Sequence, residues 1–202
     1  MFNINNPVVA ALSKLWDLIV LNILVLVFCI PIFTAGAAFT SMYTVTMQMV
    51  KNEEETSIAK MFFKNFKRFF KKSTVLWCIQ LMTFGFIWAD FAIMKSSRVF
   101  LLILTVACII CVFIMVYANP LLVIYDDCVI KTIKNALFIS IMYLPRTLII
   151  IAIYTVWIYM IGVSLGLFVP MLALMGFTLP AYFSSYQYIK AFDIRGNLPV
   201  DK

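Results

Sequence analysis

The chain has 202 residues, of which 64% are hydrophobic and 12% are charged. A soluble globular domain is roughly 45 to 50% apolar, so this composition excludes an ordinary soluble protein and indicates an integral membrane protein. The formal net charge is +7, but the lysines and arginines flank apolar segments. The expected partner is therefore a lipid bilayer with anionic head groups, and not nucleic acid.

The N-terminal part of the chain predicts two membrane spans separated by a break. The apolar residues over 15–33 are numerous enough to cross most of a hydrocarbon core about 30 Å thick. The sequence PIFTAG, from Pro31 to Gly36, predicts a turn, because proline disfavours helix in the preceding residue and glycine relaxes the backbone. A shorter apolar segment over 36–50 predicts a second span that is tilted or sheltered by its neighbours.

The next stretch, over 57–72, predicts a basic amphipathic helix. At 100° per residue, one arc carries Ile58 and five phenylalanines, and the opposite arc carries cations. We expect the helix to lie in the cytoplasmic membrane interface, with its rings at the acyl boundary. Its function could be to bind a membrane surface or a partner protein. The alternative is a purely structural role, in which it only positions the helix bundle at the interface. The cations concerned are Lys60, Lys64, Lys67, Arg68, Lys71 and Lys72.

The rest of the chain predicts four more spans and a second, weaker interfacial helix. Residues 99–118 carry no charge and give the clearest transmembrane signal, which Asn119-Pro120 is expected to end. Asp126 and Asp127 are expected to cap the second interfacial helix. The predicted spans are 73–94, 99–118, 146–168 and 170–189, and the interfacial helix is 127–143.

The distribution of positive charge predicts the topology. With both termini in the cytoplasm, all of the 16 lysines and arginines except Lys95 and Arg98 lie on the cytoplasmic side. The predicted fold is all-α, a single polytopic membrane domain over 1–202 with about six transmembrane helices. These form three hairpins, with one or two interfacial amphipathic helices, in a membrane whose inner face is cytoplasmic.

Five residues of the first two spans mark a candidate polar or substrate path. A broken helix exposes backbone groups that transporters use to hold ions and substrates, whereas the alternative is a tight extracellular turn. Asp17 is a functional candidate because it is an ionisable group within a span. The alternative is that, close to the span end, it is solvated at the interface or caps a helix. The amide of Asn22 can equally link helices through hydrogen bonds, so replacing Asn22 by alanine should affect folding more than activity. The five residues are Asp17, Asn22, Pro31, Thr34 and Gly36.

The sequence contains no motif that indicates catalysis. It has no histidine, no P-loop, no Gly-x-Ser-x-Gly and no dinucleotide fingerprint. Cys108-x-x-Cys111 lies in the charge-free span without a second ligand pair, so ordinary packing is its expected role. We expect no enzyme activity, no catalytic residues, no metal and no cofactor.

The N-terminal third also carries a recognisable pattern. It consists of Asp17, Leu21-Asn22, Pro31-x-x-Thr34-x-Gly36, Tyr43, and FFKNFKRFFKKST from Phe62 to Thr74. The pattern resembles the YesL-like family of bacterial membrane proteins, whose function is unknown. The resemblance implies a small polytopic protein of Gram-positive-type bacteria, often encoded near carbohydrate-uptake and two-component genes.

Two functional hypotheses follow. The family context implies an accessory or regulatory partner of a carbohydrate-uptake system, which would contact a transporter or sensor subunit. The alternative is a small permease for a small solute, in which Asn22 and the PIFTAG break line a path.

Overall fold

A computed structural model of the chain describes residues 7–51, 57–93, 98–163 and 175–193. Within these ranges the chain is helical, with no strand, which agrees with the predicted all-α class. Part of the predicted span 170–189 lies outside the described residues. The helices are α1 (Pro7–Cys29), a short 3-10 helix (Ile32–Thr34), α2 (Ala35–Lys51), α3 (Ile58–Ile93), α4 (Arg98–Tyr125), α5 (Val129–Met142), α6 (Leu144–Val163) and α7 (Thr178–Asp193).

Helix α2 lies in the interior of the bundle and contacts α1, α3, α4 and α7. Most of its 17 residues are buried, although many are polar. The hydroxyls of Thr40, Ser41 and Thr44 donate to carbonyl oxygens one turn earlier, at 2.9, 2.7 and 2.9 Å. Small side chains let neighbouring backbones approach, and these internal hydrogen bonds allow the hydroxyls to be buried. The predicted second helix is therefore present and is sheltered by its neighbours.

The predicted interfacial helix 57–72 and the predicted span 73–94 are not separate elements. They form one continuous helix, α3, of 36 residues. A helix of this length extends for about 54 Å. The expected junction contains no proline or glycine, and the Thr74 hydroxyl donates to the Phe70 carbonyl oxygen at 2.7 Å within the same helix. Nothing at the junction breaks the helix, so the predicted boundary was wrong.

The expected end of the fourth span at Asn119-Pro120 was also wrong, because α4 continues to Tyr125. Proline has no backbone N–H, so Pro120 leaves the carbonyl oxygen of Val116 without its helical donor. The hydroxyl of Tyr188, on α7, donates to that oxygen at 2.7 Å. A neighbouring helix thus replaces the missing hydrogen bond, which is how membrane bundles tolerate proline.

The chain reverses after α4 at Asp126, which has a positive φ of 44°. The predicted capping of α5 by Asp126 and Asp127 was wrong, since Cys128 occupies the N-cap position and makes no side-chain cap bond. Asp127 instead pairs with Lys131 at 3.1 Å. The helix predicted over 127–143 is nevertheless present as α5.

Three helices are long and apolar enough to cross a membrane in the part of the chain that the structure describes. They contain the segments Leu12–Cys29, Ile58–Phe91 and Leu102–Tyr125. Helices α5 and α6 meet at an angle of 99° and would add a fourth span if they form one broken crossing. The chain is therefore a membrane-type protein with three to four candidate spans among the described residues.

Candidate functional site

The first half of α3 presents cations on one side and buries apolar residues on the other. Ile58, Phe62 and Phe69 are at most 5% exposed. Four lysines on the opposite side are exposed, and none of them forms an ion pair among the described residues. We call these four the basic face: Lys60, Lys64, Lys67 and Lys71. The predicted amphipathic pattern is therefore present.

The apolar side of this segment packs against the protein itself. The ring of Phe28, near the end of α1, lies 4.8 Å from Phe66, 5.5 Å from Phe63 and 5.7 Å from Phe62, between ring centroids. Aromatic pairs at such distances each contribute about 0.5–1.5 kcal/mol beyond their buried area. Phe63 and Phe70 remain partly exposed, at 41% and 38%. The prediction that this whole face lies at the acyl boundary was therefore wrong for its buried rings.

The other two cations of the predicted surface serve a structural contact. Lys72 Nζ lies 2.7 Å from Asp126 Oδ1, and Arg68 lies 3.2 Å from Oδ2 of the same carboxylate. Lys72 also donates to the Asp126 carbonyl oxygen. Burial raises the pKa of the Asp126 carboxyl, but the hydrogen bonds and charges of Lys72 and Arg68 outweigh burial and lower it. These ion pairs connect α3 to the turn between α4 and α5.

The break between α1 and α2 is a closed turn. The Thr34 hydroxyl donates to the carbonyl oxygens of Phe28 and Pro31, the latter at 2.8 Å. The Thr34 N–H donates to the same Pro31 oxygen at 2.9 Å. Trp77 Nε1, on α3, donates to the Ile32 carbonyl oxygen at 2.9 Å. The backbone oxygens that a transporter would offer to a substrate are thus engaged within the protein.

Helices α2 and α3 pack tightly against each other at Gly36. A Cβ atom at this position would lie 2.5 Å from Trp77 Cβ and 2.6 Å from the Ser73 carbonyl oxygen. Real Cβ atoms essentially never come so close to other atoms. The glycine is therefore required by helix packing.

The remaining residues of the predicted path lie on α1. Asn22 is fully buried, and its Oδ1 accepts a hydrogen bond from the Phe177 N–H at 3.0 Å. The Thr178 hydroxyl donates to the Leu18 carbonyl oxygen at 3.0 Å beside it. Asn22 thus anchors the start of α7 on α1. Asp17 is half-buried on the same helix.

A cluster of interior hydroxyls was missed by the sequence reasoning. Tyr43 and Tyr154 share a hydrogen bond at 2.7 Å, and Tyr154 lies 3.5 Å from the Ser184 hydroxyl. Thr46 and Ser185 share another at 2.8 Å. The residues come from α2, α6 and α7, and only Tyr43 belonged to the recognised sequence pattern. Their mutual hydrogen bonds make them a structural link between these helices.

One comparison with known families gives a match. The model of a family described as a protein of unknown function, DUF624, matches residues 18–91. The matched residues run from α1 through α2 to the second half of α3. They include every candidate site residue except Asp17. No curated protein and no solved structure matches the chain.

Proposed function

We propose that this chain is an accessory or regulatory partner of a carbohydrate-uptake system in a bacterial cytoplasmic membrane. The resemblance to the YesL-like family supports this proposal, and the match to an uncharacterised family over residues 18–91 is compatible with it. In this proposal the chain crosses the membrane six times, with both termini in the cytoplasm, as its positive charges favour.

The exposure of the basic face is the observation that carries the proposal. Phe28 and the neighbouring helices already cover the buried rings on the other side of α3. The four lysines remain available for a second surface, and each contributes about 1 kcal/mol near an anionic membrane. An acidic patch on a transporter or sensor subunit would benefit from the same charges. The proposed partners are therefore anionic head groups and one such subunit.

The hydrogen bonds around the predicted path favour this role over a small permease. Asn22 is engaged by Phe177, and the carbonyl oxygens of Pro31 and Ile32 are engaged by Thr34 and Trp77. A permease would need such groups to face a solute. We further propose that the chain has no catalytic activity of its own, a view supported by the absence of histidine from the sequence.

A pulldown from native membranes tests the proposal. Tagged protein is extracted in mild detergent and compared with a variant in which the four lysines of the basic face are changed to glutamine. The charge-matched control carries Lys14→Gln, Lys51→Gln, Lys190→Gln and Lys202→Gln. We expect an uptake-system subunit to co-purify with the wild type and the control, and to be lost from the basic-face variant.

Two results would contradict the proposal. One is recovery of the protein without any uptake-system subunit, and the other is retention of the subunit by the basic-face variant. In the first case, solute flux in proteoliposomes that contain the purified chain would test the permease.

A further inference from the structure

The second half of α3 buries an amide that has no hydrogen-bond partner. Gln80 is 6% exposed, and neither its Oε1 nor its Nε2 has a partner within the described residues. Burying a polar group without a partner is costly, so such groups in folded proteins usually meet water or a ligand. The amide of Gln80 therefore indicates that something else occupies its surroundings.

Gln80 lines a cavity of about 70 Å³ where α3, α4 and α5 meet. Phe84, Ile114, Met115 and Ile133 form apolar parts of its wall. At its rim, Ile79 and Phe84 are 39% and 37% exposed, so the cavity opens at the protein surface. An open cavity of this volume accommodates only the end of a larger molecule, whose remainder would lie outside.

The surface around the opening belongs to two candidate membrane spans, Ile58–Phe91 and Leu102–Tyr125. Neighbouring side chains such as Met82 and Phe86 are 67% and 72% exposed, as expected for a surface in contact with acyl chains. The molecules that reach this opening in a membrane are therefore lipids. A matching lipid must offer one polar group to the amide and apolar chain to the walls.

The helix that supplies Ile133 to the cavity wall carries a positive charge at the next position in the sequence. Lys134 follows Ile133 directly on α5, is exposed, and forms no ion pair in the described ranges. Lys131, the nearest other lysine on α5, differs from Lys134 because it forms an ion pair with Asp127. A lysine next in sequence to a wall residue, a buried amide and apolar walls match the three parts of an anionic phospholipid, which are the phosphate, the ester and the acyl chain.

We propose that this cavity binds one anionic phospholipid. The ester carbonyl oxygen accepts a hydrogen bond from Gln80 Nε2, the acyl chain lies against the apolar walls, and the phosphate contacts Lys134. The site is separate from the basic face and does not depend on the function proposed above. It gives the chain a specific lipid requirement in addition to general attraction to the membrane.

Native mass spectrometry of the full chain tests the amide. Purified, delipidated protein is titrated with phosphatidylglycerol, and bound lipid is counted for the wild type and for Gln80→Leu. We expect about tenfold weaker retention in the variant, the effect of one lost hydrogen bond to a buried group. The control is Thr74→Val on the same helix, outside the cavity, which should retain lipid as the wild type does.

Two further variants keep the test independent of folding defects. Ile133→Phe fills the cavity while leaving the amide in place, and it should lose lipid to a similar extent. Lys134→Gln should lose the preference for phosphatidylglycerol over phosphatidylcholine, whereas Lys190→Gln, at an exposed lysine outside both the cavity and the basic face, should keep it. Equal lipid retention by the wild type, Gln80→Leu and Ile133→Phe would overturn the proposal, because the retained lipid would then be bound outside this cavity.

Discussion

At the scale of single residues, Gly36 shows how closely α2 and α3 pack. We predict that Gly36→Ala destabilises the protein by about 1–3 kcal/mol, the usual cost of overpacking a tight contact. The added Cβ would meet Trp77 Cβ at 2.5 Å and the Ser73 carbonyl oxygen at 2.6 Å, and backbone atoms cannot easily move aside. Thermal unfolding in detergent measures the effect.

Two other glycines provide matched controls for this substitution. A Cβ atom at Gly85 or Gly162 would meet nothing within 4 Å. Alanine has the higher helix propensity by about 1 kcal/mol, so both variants should be as stable as the wild type or slightly more stable. Equal losses at all three positions would show that Gly36 has no special packing role.

Asn22 gives a second prediction at this scale. Asn22→Ala removes the oxygen that accepts the Phe177 N–H, and an unpaired buried donor costs about 1–3 kcal/mol. We expect a lower melting temperature and lower membrane abundance. Co-purification of partners, measured per folded molecule, should not change. Normal abundance and melting with a selective loss of partner binding or transport would instead return Asn22 to a functional path.

Asp126 gives a third prediction, on pH dependence. Because the folded pKa of its carboxyl is lowered from the ordinary value of 3.8, its stabilising effect is fully present above that value and is lost as pH falls through the folded pKa. Asp126→Asn removes the charge, and asparagine tolerates the positive φ.

The variant should therefore melt below the wild type at pH 7, and the difference should shrink at about pH 3, below the ordinary pKa of an aspartate. Melting curves at the two pH values measure this change. A difference that stays constant between them would mean that the ion pairs with Lys72 and Arg68 do not stabilise the fold.

At the scale of elements, the sequence predicted where helices form better than where they end. The segments of α1, α2 and α5 follow from apolar periodicity and from the break at Pro31. The continuity of α3 and the end of α4 were not predicted, and the end of α4 depends on a distant contact. The hydroxyl that compensates for Pro120 belongs to Tyr188, 72 residues from the Val116 oxygen that it contacts. No local pattern contains that information.

The continuity of α3 leads to a fourth prediction. The five native cysteines are replaced by serine, and spin labels are attached at Lys60→Cys and Trp88→Cys. The labelled positions should be about 42 Å apart, because 28 residues of continuous α-helix separate them. Pulsed electron paramagnetic resonance measures this distance. A bend between an interfacial helix and a span would bring the labels clearly closer together.

At the scale of the whole molecule, the candidate site was only partly predictable from the sequence. Helical periodicity alone identified the cations of the basic face, since it depends on neighbours one turn apart. The pairing of Arg68 with Asp126 spans 58 residues, and the contact of Asn22 with Phe177 spans 155. Such contacts decide which polar groups remain available, and they follow from the packing of helices.

The proposed role of the chain requires the basic face to be exposed in the cytoplasm. The most direct measurement is labelling with a membrane-impermeant thiol reagent, using single cysteines introduced as Lys64→Cys or Lys95→Cys in a background without native cysteines. Lys95 is one of the two cations that the charge distribution assigns to the outside. We expect Lys64→Cys to react in inverted vesicles but not in intact cells, and Lys95→Cys to show the opposite. Reaction of Lys64→Cys in intact cells would contradict the account.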